Sequence, residues 1–207
     1  MNVRKMFRRE KIIEALKSVS ALRLKISHST LIHVSLLFII LFLAFLTRIL
    51  PIRWGYHLSE FDPHWQYWVA KDMVENGFFG PNSWVYQRDY KSWYPYGRSI
   101  AATSYPGLPA TLAFFYSALN ALGIKIVMPS TLNPLSSDPV YNFCILFPVI
   151  MGTLTCIVIY FLGKDIGGKE VGLLSALFLA LNGSYIGRTA LGFCDDETVG
   201  IFGILLF

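Results

Sequence analysis

Charge is scarce in this chain. Only 15% of its 207 residues are Asp, Glu, Lys or Arg, while 54% are hydrophobic. That balance excludes an ordinary soluble domain, where about a quarter of residues are charged. The scarcity is local as well as global: residues 26–47, 139–163 and 171–187 carry no formal charge. A bilayer core of about 30 Å needs about 20 helical residues, so the first two runs suffice and the third is slightly short. Cysteine is almost missing. Cys144, Cys156 and Cys194 show neither metal-type spacing nor a disulfide framework, and they read as small apolar residues. Internal repeats and low-complexity linkers are missing too, which excludes solenoids and arrays.

What charge there is lies in blocks. Residues 1–30 hold eight Lys or Arg against Glu10 and Glu14, and the rest of the chain is close to neutral. A basic segment before a span marks the cytoplasmic side and does not ask for nucleic acid. Ile12, Ile13, Ala15 and Leu16 opposite Lys11 and Lys17 also suit an amphipathic segment on anionic lipid. The apolar run that follows is too extended for a cleaved signal peptide. The predicted organisation is a basic cytoplasmic tail (1–25) followed by a membrane domain (26–207). Its spans are about 28–49, 139–163 and 171–190, with a truncated one at 198–207 and an external loop at 51–138. Ten helical residues at the end cover about 15 Å, so the chain reads as the front of a longer multi-span protein.

All five Trp residues (Trp54, Trp65, Trp68, Trp84 and Trp93) and six of the eleven Tyr fall within 51–98. Such rings favour the membrane–water interface, which puts this loop along the membrane surface. Residues 99–124 are uncharged and long enough to span, yet Ser104-Tyr105-Pro106-Gly107-Leu108-Pro109 opens them with a turn signal and two prolines. Topology favours a non-spanning segment. The tail fixes residue 1 inside, and a crossing at 139–163 then leaves Lys164 and Lys169 inside, as the positive-inside rule prefers. Residues 171–190 return the chain to the face that carries Asp62.

Two small acidic clusters lie next to apolar runs: Glu60-Phe61-Asp62-Pro63, and Asp195-Asp196-Glu197. Carboxylates are costly near hydrocarbon. Asp62-Pro63 reads as a helix N-cap with Pro at the first helical position, Trp65, Trp68, Val69 and Met73 on one face and Gly77 at the stop. Asp195 would likewise cap a helix near Thr198. The other reading is that the two clusters share one face and grip a divalent cation, Mg²⁺ or Mn²⁺, through carboxylate oxygens. His64 is a further possible ligand, more simply a structural residue. Arg188 either snorkels, pairs with the acids or meets an anionic leaving group. The residues leave these alternatives open.

Five motifs occur in order: His57-x-x-Glu60-Phe61-Asp62-Pro63, Ser92-Trp93-Tyr94-Pro95-x-Gly97-Arg98, Tyr105-Pro106-Gly107-Leu108, Tyr185-Ile186-x-Arg188, and Asp195-Asp196-Glu197. Together they closely resemble the catalytic subunit of oligosaccharyltransferase, most like the archaeal single-subunit form. The resemblance implies an all-α integral membrane fold of the glycosyltransferase C type with a long external first loop. It implies transfer of an oligosaccharide from a lipid-linked donor, on a dolichol-type phosphate or diphosphate, to Asn of Asn-x-Ser/Thr in an acceptor polypeptide. It further implies Mn²⁺ or Mg²⁺ held by Asp62, Asp195 and Glu197, with Arg188 close by. Asp196, the middle residue of its motif, inherits no role, and its side chain is expected to point away. The implied location is the cell membrane in an archaeon or the endoplasmic reticulum membrane in a eukaryote, with the site on the external or lumenal face. The family's later acid and its sequon-binding motif would lie beyond Phe207, so these residues alone are expected to be inactive. Two other functions share parts of the pattern. Another lipid-phosphate-sugar-dependent membrane glycosyltransferase would keep the first-loop acids, and a cation transporter would bury facing acids in mid-span.

Overall fold

The structure, a computed structural model, describes residues 27–83, 86–127 and 134–207. The expected basic tail and Trp84 lie outside these residues. The chain divides into two compact units, Met1–Ser35 and Leu36–Phe207. Within the described residues the first unit holds only the opening of the first helix, and the site lies wholly in the second.

Helix α1 is His28–Ile49 and continues into the three-ten turn Leu50–Trp54. Its apolar side chains stay largely exposed, Phe38 at 69% and Phe42 at 54%, as a lipid-facing helix requires. The region between this helix and the next long apolar one holds α2 (Phe61–Asn76), the strands β1 (Arg88–Asp89) and β2 (Arg98–Ser99), α3 (Ile100–Thr103) and α4 (Gly107–Ala121). The two strands pair antiparallel, with Asp89 opposite Arg98. Helix α4 has 15 residues, about 22 Å at 1.5 Å per residue. It packs on α2, with Val69 and Met73 of α2, Ala113 of α4 and Ile100 of α3 in one buried cluster, all at most 1% exposed.

The apolar run from Pro139 forms α5 (Pro139–Leu181), interrupted where the backbone leaves helical geometry at Gly167 (φ −140°, ψ 15°) and Gly168 (φ 88°, ψ −177°). Positive φ at Gly168 suits a residue without Cβ. The two arms then fold together. A Cβ on Gly163 would come within 2.7 Å of Ser175 Oγ and 3.1 Å of Gly172 Cα, so the small residues let the backbones touch. Cys156 and Tyr160 of the first arm and Ala176 and Ala180 of the second bury against Ile40 and Ala44 of α1. The sequence predicts one span over 171–190, but the helix stops at Leu181. Asn182 Oδ1 accepts from Tyr185 N at 2.9 Å and starts a separate helix, α6 (Gly183–Thr189). Among the described residues, two helical stretches are long and apolar enough to cross a membrane, His28–Trp54 and Pro139–Leu181. A last helix, α7 (Glu197–Leu206), packs on α5. The three cysteines are buried and unbridged.

Candidate functional site

Asp62 stands in the first turn of α2. The N-cap position belongs to Glu60 (φ 63°, ψ −178°), and no side chain caps the helix. The expected capping role of Asp62 is therefore not what the structure shows. The helix begins one residue early at Phe61, and Pro63 still loses nothing, because N–H groups of the first turn have no helical partner anyway. Asp62 is left exposed with its carboxylate outside any cap. The buried face of α2 is as expected for Trp65, Val69 and Met73, with Trp68 half-buried.

The second cluster is carried on the short segment between α6 and α7. That segment is stitched in place by its backbone. Leu191 N donates to Arg48 O at 2.9 Å, Gly192 N donates to Ile145 O at 3.0 Å, and Ser59 N donates to Gly192 O at 3.0 Å. Gly192 has φ +83°, and a Cβ there would collide with the His57 carbonyl oxygen. Only glycine allows this approach. The consequence is that the segment ending at Asp62 and the segment leading to Asp195 run in direct contact.

Asp62, Asp195, Asp196 and Glu197 line one open cleft of about 300 Å³. Asp195 Oδ1 accepts from Asp196 N at 2.9 Å. Helix α7 has no side-chain cap, so the capping expectation for Asp195 is also replaced. Asp196 does not turn away as expected: it lines the cleft and Oδ1 accepts from Gln66 Nε2 at 3.4 Å. Burial, then the neighbouring charges of Asp195, Glu197 and Asp62, push its carboxyl above the usual range. Arg188 Nη1 pairs with Glu197 Oε1 at 3.4 Å, and its guanidinium lies 5.2 Å from the Phe193 ring centroid. The other oxygen, Glu197 Oε2, is buried without a partner. His64 is not among the residues lining this cleft; its Nδ1 lies 2.8 Å from Glu60 O.

Arg98 lines the same cleft as the acids. Arg98 Nε donates to Thr103 Oγ1 at 2.7 Å and Nη2 to Thr103 O at 2.8 Å. Its guanidinium lies 3.9 Å from the Trp65 ring centroid and 5.4 Å from that of Trp93. Trp65 is itself fixed, its Nε1 donating to Ser104 Oγ at 2.8 Å. Burial lowers the proton affinity of Arg98, while Asp62 and Asp89 oppose that shift.

The donor chemistry suits a hard divalent cation: several carboxylates in one cleft, Asp196 raised by burial and then by its acidic neighbours, and an orphaned Glu197 oxygen. Among the described residues, however, no group of three His, Cys, Asp or Glu side chains is placed to hold a metal ion. Asp62, Asp195 and Glu197 share the cleft without being gathered into a ligand set. Mg²⁺ commonly keeps several waters and takes only one or two carboxylates together with substrate phosphate, so an open arrangement is compatible with such an ion.

Sequence reasoning gave no role to Arg98, Gln66, Arg48 or Asp138. Asp138 is the N-cap of α5: Oδ1 accepts from Val140 N at 2.9 Å, and Oδ2 from Tyr67 Oη at 2.7 Å and Lys71 Nζ at 2.6 Å. The available signal was Asp138-Pro139, the same dipeptide as Asp62-Pro63.

Comparison with known proteins places this geometry in context. Residues 30–207 match the family described as Oligosaccharyl transferase STT3, N-terminal. The chain is 32% identical over 191 residues to the dolichyl-diphosphooligosaccharide–protein glycosyltransferase subunit STT3B of Arabidopsis thaliana, covering 91% of this chain and 24% of that protein. It is 35% identical over 145 residues to subunit STT3 of Saccharomyces cerevisiae, covering 70% of this chain and 18% of that one. Its fold resembles the crystal structure of the Archaeoglobus fulgidus oligosaccharyltransferase in the apo form, with a TM-score of 0.63, 22% identity, and 84% of this chain and 18% of that one covered. The archaeal oligosaccharyltransferase AglB from Archaeoglobus fulgidus in complex with an inhibitory peptide and a dolichol-phosphate gives a TM-score of 0.62 at 22% identity. The chain thus spans about a quarter or less of the length of these relatives.

Proposed function

The chain belongs to the oligosaccharyl transferase STT3 family, and from that premise we propose that it is the N-terminal part of a membrane enzyme that transfers an oligosaccharide from a dolichol-type phosphate or diphosphate to Asn of Asn-x-Ser/Thr. The observation that carries this reading is the meeting of Asp62 with Asp195, Asp196 and Glu197 in one cleft. Related proteins carry dolichyl-diphosphooligosaccharide in their names, and an archaeal neighbour of the same fold holds a peptide and a dolichol-phosphate.

An amide nitrogen is a poor nucleophile because its lone pair is delocalised. Asp62, exposed at the cleft rim, accepts hydrogen bonds from the acceptor amide N–H and orients it. Asp195 and Glu197, with Asp62, would hold Mn²⁺ or Mg²⁺. Such an ion, when bound, would supply charge to offset the negative charge developing on the departing phosphate. Arg188, already beside Glu197, adds a second cation near that leaving group. The aromatic region 51–98 lies along the membrane surface, and the cleft faces outward: to the cell exterior in an archaeon, to the lumen of the endoplasmic reticulum in a eukaryote. Asp62, Lys125 and Asp195 stand on that face and Lys164 on the cytoplasmic one, which cysteine-accessibility labelling at the four positions checks.

The deciding experiment uses the full-length protein, a lipid-linked oligosaccharide and an Asn-x-Thr peptide. Transfer is expected to stop with a chelator and return with Mn²⁺ or Mg²⁺. Asp195→Ala is expected to lower transfer by about 100-fold or more with the protein still folded. Activity indifferent to chelation, or an Asp195→Ala enzyme of wild-type rate, overturns the metal assignment.

A further inference from the structure

Arg48 is fully buried, at 0% exposure, next to the last residue of α1. Among the described residues no carboxylate pairs with it. Its guanidinium instead reaches three separate segments. Nη1 donates to Ala44 O at 2.9 Å within α1 and to Ala180 O at 3.2 Å at the end of α5, and Nε donates to Thr189 Oγ1 at 2.8 Å at the end of α6. The guanidinium also lies 5.0 Å from the Tyr185 ring centroid, and the Arg48 carbonyl accepts from Leu191 N. Nη2 is left without a partner. The notch that admits the side chain is Gly152, where a Cβ would come within 2.5 Å of Arg48 Nε and 2.8 Å of Thr189 Cβ.

Burying an unpaired guanidinium costs several kcal/mol, and an apolar side chain of similar volume packs more cheaply. What the rigid fork delivers is orientation. Tyr185 and Thr189 are four residues apart and share one face of α6. With that face turned onto Arg48, Arg188 is rotated by about 100°, away from the buried wall and towards Glu197. The carbonyl of Arg48 meanwhile seats the segment that leads to Asp195.

We infer that Arg48 is a positioning residue for the acidic cleft: through Thr189, Tyr185 and Leu191 it sets the rotation of α6 and so places Arg188 beside Glu197. The inference rests on the oligosaccharyltransferase reading for its kinetic test only. Thr189→Val removes the Nε acceptor at nearly constant volume and leaves the charge in place, and Arg48→Lys keeps the charge but loses the fork. Both are made in the full-length protein, alone and combined with Arg188→Ala. Amide exchange over residues 183–197 is expected to speed up by about 10-fold in Thr189→Val, equivalent to about 1.4 kcal/mol, with α2 and α4 unchanged. Transfer per folded molecule is expected to fall by about 5- to 10-fold in Thr189→Val alone, yet by less than about 2-fold when Arg188→Ala is already present. Arg48→Lys, which loses the fork that makes all three contacts, is expected to lower transfer at least as far as Thr189→Val. Unchanged exchange over 183–197, exchange that rises equally everywhere, or effects on transfer that simply multiply with Arg188→Ala, overturn the inference. If wild type itself transfers nothing, the oligosaccharyltransferase reading falls, and the exchange measurement still decides the role of Arg48.

Discussion

Asp62-Pro63 and Asp138-Pro139 are the same dipeptide at the start of a helix, and the protein uses them in opposite ways. Asp138 is consumed by structure: two backbone N–H groups, Tyr67 and Lys71 all donate to it. Burial alone would raise its carboxyl, but the hydrogen bonds from Lys71, Tyr67 and Val140 N outweigh that and hold it below the usual range. Asp62 caps nothing, stays exposed, and looks into a cleft with three other acids. Its neighbour Asp196 is pushed the other way, by burial and by those acids. A carboxylate surrounded by donors belongs to the fold. A carboxylate set among other carboxylates is what the proposed site is built from.

Breaking the comparison at its functional end has the largest expected effect. Asp62→Asn keeps shape and removes charge; transfer by the full-length protein is expected to drop by about 100-fold or more, with the melting temperature within about 2 °C of wild type. Asp138→Ala reverses the pattern. It removes a cap and the acceptor that Lys71 and Tyr67 share, for a loss of about 2–3 kcal/mol in unfolding stability. Transfer per folded molecule stays near wild type. A loss of activity in Asp138→Ala without loss of stability would end the distinction.

Acid sharpens it. Asp138 titrates lower in the folded chain than in the unfolded one, so its contribution is full above about pH 3.9 and is lost as pH falls through its depressed value. Asp196 titrates higher when folded, so its ionised form weakens the fold. That penalty is relieved as pH falls through its raised value. Melting temperature in detergent is therefore expected to rise slightly on mild acidification and then to fall. Asp196→Asn is expected to remove the rise and Asp138→Asn to shrink the fall. Asp89, which burial would raise but its hydrogen bonds hold below the usual range, continues to drive that fall. The smallest effect is at neutral pH, where Asp196→Asn is expected to stabilise by about 0.3–0.5 kcal/mol through relief of like-charge repulsion. Destabilisation by that substitution would show that the Gln66 contact outweighs the crowding.

The membrane class and the two acidic clusters were legible because charge is so rare here that every acid beside an apolar run stands out. The buried face of α2 was legible from its 3.6-residue period. The two Asp-Pro pairs could not be told apart from sequence, since the difference comes from Lys71 and Tyr67, which α2 brings across from another segment. The stop at Leu181 was hidden within an uncharged run, where a single Asn182 side chain outweighs continuous hydrophobicity. Arg48 was equally hidden: a terminal Arg on a span usually snorkels outward, and only the notch at Gly152 lets this one turn inward.

The contact between Gln66 and Asp196 joins residues 130 positions apart. At about 5–20 residues per second, a ribosome needs roughly 7–26 seconds to make that stretch. During biosynthesis Asp62 therefore reaches the membrane long before the residues that complete its cleft. Each new molecule passes through a period in which the first acid waits, bare, for a partner segment that Gly192 must then dock against it.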